Sequence, residues 1–377
     1  MLSRRSLLGG TAAAVPLALG LGAGSAEAAP SAVSDGNSVP ETLAVRRGSV
    51  GSGTAVTPDL ALTHLAVTGD AEVRLRTVAG WQPWRAASGC PGGPDGGSPL
   101  PERTLVPATG AVEYQVRSAT GGPLDVTELN TVDGPARAVA APAVALPLPL
   151  AAHCEHRPRY LSRAGWGADE SYRYNPDGTL DTPPAFFPVQ TLTVHHSGED
   201  VPDPDPISHI RGIYYNQAVA KDWGDIGYQL LIDAAGTVYE GTYSDPDRIP
   251  VFGPDRGADG RPLMVNGAHV GGFNAGNIGV CLLGNFMLAP PSRASLRSLT
   301  VVLALLAKAT RLDPLGTTNY VNPVSGVTAT LATVSGHQDW HNANPNAGGT
   351  LCPGDYLYAE LPSVRENVAA LLRGLGH

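Results

Sequence analysis

The sequence predicts two modules of different class. A small all-β sandwich comes first, and an α/β domain, a mixed β-sheet flanked by helices, follows it. Three observations carry this expectation. Residues 41–135 alternate apolar and polar side chains in short runs between Gly-, Pro- and Asp-rich turns, with no helical period. Residues 136–156 are rich in proline and alanine, the composition of an extended, semi-stiff spacer. From residue 157 onward strand-like and helix-like periods mix. At 377 residues and 42% apolar, the chain is long enough for two cores.

The elements follow in chain order. Residues 1–28 join a charged start, an apolar middle broken by Gly and Pro, and the small-x-small site Ala26-Glu27-Ala28, the pattern of a cleavable export signal. Its Ser3-Arg4-Arg5-Ser6-Leu7-Leu8 run resembles a twin-arginine signal, although paired arginines also occur in ordinary export signals. The expected product is secreted, without a lipid or membrane anchor. Residues 71–78 (AEVRLRTV) and 111–118 (AVEYQVRS) are alternating strands of the 41–135 sandwich. Trp81 and Trp84, in WQPW, suit either a sugar-stacking platform or, as favoured here, a cover for the end of the sandwich core.

In residues 157–377, 190–195 read as a strand ending in a histidine pair. Residues 206–220 carry Ile207, Ile210, Tyr214 and Ala218 at helical spacing behind Pro206. Residues 228–232 and 237–240 read as a hairpin, and 277–284 as a nearly continuous apolar strand suited to the sheet centre. Ser292 is placed to cap a helix with a Leu296, Leu299, Leu303, Leu306 stripe, and a last helix is expected after Pro362.

Composition excludes some partners. A formal net charge of −9 gives no attraction to nucleic acid or anionic membrane surfaces. Lys221 and Lys308 are the only lysines, which leaves few amines for acid–base work.

Chemistry concentrates in residues 334–355, VSGHQDWHNANPNAGGTLCPGD. His337 and Cys352 sit at opposite ends of a turn-rich stretch, and imidazole and thiolate are donors that zinc prefers. A third donor is expected from His195-His196. Adjacent strand residues point to opposite faces, so only one of the pair can join. Two neutral imidazoles and a thiolate leave an open position whose water zinc would acidify to a pKa of about 7. A closed structural site would need a fourth ligand, for which His341 is the candidate. The absence of any C-x-x-C pair favours the open site. Of the other cysteines, Cys281 reads as a buried hydrophobe, while Cys90 and Cys154 are candidates for a late, dispensable disulfide.

Seven segments then occur in an ordered series: 161–168 (LSRAGWGA), 194–197 (VHHS), 222–228 (DWGDIGY), 238–241 (VYEG), 267–269 (GAH), 277–280 (NIGV) and 352–355 (CPGD). The series resembles peptidoglycan recognition proteins and the related zinc-dependent N-acetylmuramoyl-L-alanine amidases of the phage-lysozyme type, over roughly the last 220 residues. The resemblance implies one zinc per chain, held by His195, His337 and Cys352, with Tyr228 and Thr350 catalytic and Trp223 and His269 in contact with substrate. It implies hydrolysis of the amide between N-acetylmuramic acid and L-alanine in peptidoglycan by a monomeric enzyme at or near the cell wall. A wall-binding protein without turnover is the alternative, and Cys352 favours the enzyme, because binding-only relatives lack that cysteine. No H-E-x-x-H helix supports a general zinc peptidase.

Two departures stand out. Gln338 replaces the arginine usual after the histidine, and a long insertion separates Gly241 from His269, where relatives read the third stem residue. With no site legible in the sandwich, residues 157–377 alone are expected to turn over small soluble muropeptides as well as the whole chain.

Overall fold

The computed structural model describes residues 38–87, 92–96, 102–118, 121–138, 146–147, 156–199, 204–244 and 250–374. The expected export signal, Cys90 and Cys154 with their disulfide, and most of the expected spacer lie outside the described residues.

Two antiparallel sheets form the amino-terminal module. One contains β1 (Leu43–Val50), β2 (His64–Thr68), β4 (Arg103–Pro107) and β6 (Leu124–Asn130), and β3 (Ala71–Thr77) and β5 (Glu113–Ser118) pair in the other. Alternation dictates the packing. Ala71, Val73 and Leu75 of β3 face a shared core with Leu65, Val67, Val116 and Val126, and the intervening residues face outward. The two tryptophans do not cover that core. Arg74 stacks on both Trp81 and Trp84 at 4.8 Å, and Arg117 lies over Trp84 at 4.4 Å, on the opposite face of the sheet. The stretch expected to be a spacer is paired where it is described: Ala136–Ala138 lies against Ser38–Pro40, and Leu146–Pro147 against Arg159–Leu161.

The carboxy-terminal sheet is mixed. From the edge strand Leu146–Pro147 it runs through β7 (Arg159–Leu161), β10 (Val238–Glu240), β9 (Leu230–Ile232), β11 (Asn277–Leu282) and β8 (Thr191–His196) to β12 (Val334–Gly336). β9, β11, β8 and β12 are mutually parallel neighbours. β11 is buried along its whole length, as its apolar run requires at the sheet centre. The even residues Leu192 and Val194 of β8 face a core made with α2 (Arg293–Thr310) and α4 (Asp355–Gly374). The opposite face carries α1 (Pro206–Tyr214), continued by a wider π-helical turn at Tyr215–Ala220. Ser292 caps α2 by accepting from Ser295 N. α4 starts seven residues before Pro362, because that proline sits exposed on the outer face and only one carbonyl loses its helical donor. Among the described residues no helix is long and apolar enough to cross a membrane.

Three of the sequence motifs meet in one buried knot. Arg163 donates to Glu170 at 2.8 Å, to Asp225 at 2.9 Å, to Tyr214 Oη at 3.0 Å and to the carbonyl of Gly241. Trp166 Nε1 donates to Glu240 O at 2.7 Å, and Arg163 N to the Glu240 carboxylate at 2.9 Å. Burial raises the Asp225 pKa above the ordinary carboxylate value, and the Arg163 guanidinium opposes that rise. These motif residues fasten the β7–β10 edge to the loop that ends in Tyr228.

The two modules share a core. Leu105 and Leu129 of the amino-terminal sheet pack with Trp166, Ile210, Ile213 and Tyr214. Ser208 and Thr131 hydroxyls lie 2.6 Å apart, and Nε2 of His64 lies 3.1 Å from Nδ1 of His209. Gly212 has no side chain because a Cβ there would stand 3.1 Å from the His64 ring. The outer face of α1 is thus buried by the first module. Arg163→Met should cost about 3 kcal/mol, since it removes the nearer cation of the buried Asp225 and leaves only Arg173, 3.5 Å away. Urea denaturation measures this, and an unchanged midpoint would contradict the knot's structural role.

Candidate metal centre

His195, His337 and Cys352 come together at the carboxyl ends of β8 and β12, the place where open parallel sheets bind ligands. Each is at most 2% exposed, and one donor atom from each lies within 4.8 Å of the others. Register places His195 opposite Cys281 of β11, so it points to the α1 face, whereas His196 points the other way. Nδ1 of His196 accepts from Phe286 N at 3.2 Å, and its ring packs on Phe286. Strand alternation therefore separates the pair as expected.

His337 is not at a loop end. It is the first residue of α3 (His337–Ala343), whose start is fixed by Asp339 accepting from Gly336 N at 2.8 Å. Tyr358 donates to the same carboxylate, and that bond raises the phenol's pKa. Cys352 is tied to both sides of the site. Gln338 N donates to its carbonyl at 2.8 Å, and His196 N to its sulfur at 3.3 Å.

The ring nitrogens are assigned by a hydrogen-bond relay. Nε2 of His269 lies 2.9 Å from the carbonyl of Asn277, which only accepts, so that nitrogen carries the proton. In the neutral ring Nδ1 of His269 then accepts, and it lies 2.9 Å from Nε2 of His195. His195 donates through Nε2, and its Nδ1 lone pair faces Cys352 Sγ at 3.6 Å. Tetrahedral zinc with nitrogen and sulfur ligands needs donor separations of about 3.5 Å. The donor types, the His195 tautomer and the 3.6 Å His195–Cys352 separation fit that ion. His341, the fourth donor of a closed site, is not in this cluster among the described residues.

The remaining expected site residues divide. Tyr228 lies beside the cluster, its ring 5.3 Å from that of His195, and it lines a small cavity with Ser197, Glu199 and Asn216. Thr350 is half-buried and its hydroxyl oxygen accepts from Cys352 N at 3.0 Å. His269 is 1% exposed and stands behind His195, its Nδ1 2.9 Å from Nε2 of that ring. Trp223 is also buried, beneath Gly227, with the Lys221 ammonium 4.8 Å from its ring centre. Both side chains are packed beneath the residues that flank the cluster. Gly279, in NIGV, is a signal that sequence reasoning left unused: a Cβ there would stand 2.6 Å from the His269 ring.

Comparison with known proteins follows the same residues. Residues 185–355 match the family model described as N-acetylmuramoyl-L-alanine amidase. The human protein of that name is 30% identical over 145 residues, 37% of this chain but only 21% of its own length. Bovine (Bos taurus) peptidoglycan recognition protein 1 is 29% identical over 175 residues, covering 45% of this chain and 70% of that protein. The solved structure of Drosophila PGRP-LB is similar over 54% of this chain and 93% of that one, with 23% identity and a TM-score of 0.36. Residues 185–355 of the chain are thus similar to N-acetylmuramoyl-L-alanine amidases and to peptidoglycan recognition proteins.

Proposed function

We propose that this protein is a zinc-dependent amidase that cleaves the bond between the lactyl group of N-acetylmuramic acid and L-alanine in peptidoglycan. The observation that carries the proposal is the buried His195, His337, Cys352 cluster with Tyr228 at its side, inside a region matching the amidase family. When bound, zinc would polarise the scissile carbonyl and make water nucleophilic at neutral pH. Tyr228 donates its phenolic hydrogen to the oxygen that gains charge as the carbonyl is attacked. The Thr350 hydroxyl, whose oxygen is engaged by Cys352 N, keeps its hydrogen to orient the departing amine or a water that protonates it. Water is added across the amide, leaving a lactyl carboxylate and the free amino group of alanine. We further propose a secreted, monomeric enzyme acting at cell walls.

The alternative is a peptidoglycan-binding protein without turnover, the known behaviour of some recognition proteins. Digestion of purified peptidoglycan, with and without a chelator, followed by mass analysis of released peptides, separates the two. Stem peptides beginning with free L-alanine, absent after chelation, are expected. Retained binding with no release by metal-loaded protein would leave the binding role instead.

Two substitution sets sharpen the roles. His195→Ala and Cys352→Ser should lose zinc and more activity than the roughly 10–100-fold cost of losing a residue that merely supports a ligand. His196→Ala should keep its zinc. Metal analysis checks this, and equal loss from His195→Ala and His196→Ala would contradict the alternation. Tyr228→Phe should retain zinc and lower kcat about 10²–10³-fold, and an unchanged kcat would remove Tyr228 from the chemistry.

A further inference from the structure

The second observation of consequence lies in the amino-terminal module, 179 residues from the site it touches. Residues 92–96 run from that module across the 268–275 turn of the carboxy-terminal domain. Gly93 N donates to Ala268 O at 3.0 Å, and a Cβ on Gly92 would stand 2.8 Å from the same carbonyl, so the approach requires glycine there. Asp95 then closes on the turn with both carboxylate oxygens. Oδ1 accepts from Asn274 N and from Asn274 Nδ2, each at 3.0 Å, and Oδ2 accepts from Ala275 N at 2.9 Å. Gly93 O takes the other hydrogen of the Asn274 amide at 2.8 Å.

This fixes which way the Asn274 amide faces. With Nδ2 held by Asp95 and Gly93, its Oδ1 must point inward, where it accepts from the backbone N–H groups of His269 and Val270 at 2.8 Å each. Asn274 is fully buried, and so are His269 and Asn277. The backbone of His269 is therefore clamped from one side by Asn274, and its ring by the Asn277 carbonyl and Gly279 from the other. Held in this way, the ring places Nδ1 2.9 Å from Nε2 of His195.

We propose that Asp95 is a positioning residue for the metal centre. It acts through Asn274, which holds the His269 backbone, to keep the His269 ring where it orients His195 with Nδ1 toward the metal site. This rests on the zinc reading above. It makes the first module part of the catalytic machinery's support, since the orienting carboxylate of the chain is supplied from outside the residues that match the amidase family. Groups hydrogen-bonded behind metal ligands set affinity by factors of about 10–100. A carboxylate one link further back is expected at the lower end of that range.

Zinc affinity, measured by chelator competition on the full chain, tests this in a double-mutant cycle with His269. Circular dichroism and thermal melts of the metal-free proteins confirm that each is folded at the temperature used. Asp95→Ala should weaken zinc binding about tenfold in the wild-type background, and Asp95→Asn, which keeps one acceptor oxygen, by less. In the His269→Ala background Asp95→Ala should have no further effect. A purely structural carboxylate would lower the melting temperature of the metal-free protein and leave zinc affinity unchanged, which would overturn the proposal. The same loss in both backgrounds would also overturn it, because the effect would then bypass His269. Wild-type protein that takes up no zinc would sink the metal reading itself, a distinct outcome.

Discussion

The hydrogen bond between His195 and His269 is the constraint on which the centre depends. A buried imidazole offers a lone pair from only one nitrogen, and the group behind it decides which. Here the Asn277 carbonyl fixes His269, and His269 fixes His195, so the nitrogen facing Cys352 is the unprotonated one. Around this relay the fold supplies a sulfur that accepts a backbone N–H, a helix start that carries His337, and a glycine that makes room for the second ring.

The sheet explains why these groups meet. β8 and β12 are parallel neighbours, and both end where the donors begin. β11 pairs with β8 along its whole length, which puts Asn277, Gly279 and Cys281 on the sheet face that carries His195. Neither Cys281 nor Cys352 is in a disulfide, and Cys281 sits fully buried among apolar neighbours as a small hydrophobe. The carboxy-terminal domain is a support for one narrow arrangement of three side chains. The first module completes that support by burying the outer face of α1 and by holding the 268–275 turn.

Much of this was legible in the sequence, and the failures have physical causes. Period-2 alternation separated His195 from His196, and the apolar run of β11 announced a central strand. The cap at Ser292 was readable because it is a local interaction. His269 and Trp223 are both buried, His269 against His195, and burial of this kind is not legible from a motif. The Asp95 contact was invisible because nothing local to residue 95 marks it; it exists only once the chain returns 179 residues later. Trp81 and Trp84 stack on arginines across the sheet, a pairing set by strand register that spacing alone does not reveal. Pro362 lies inside α4 because its exposed side of the helix tolerates the loss of one hydrogen bond.

The central claim is that zinc is held by two imidazoles and one thiolate, with one position left for water. X-ray absorption at the zinc edge, on protein loaded with one equivalent of metal, tests it most directly. The account predicts one sulfur at about 2.3 Å and light-atom scatterers at about 2.0–2.1 Å that include two imidazoles and an oxygen. A zinc shell without sulfur, or with three imidazoles closing the site, would contradict it.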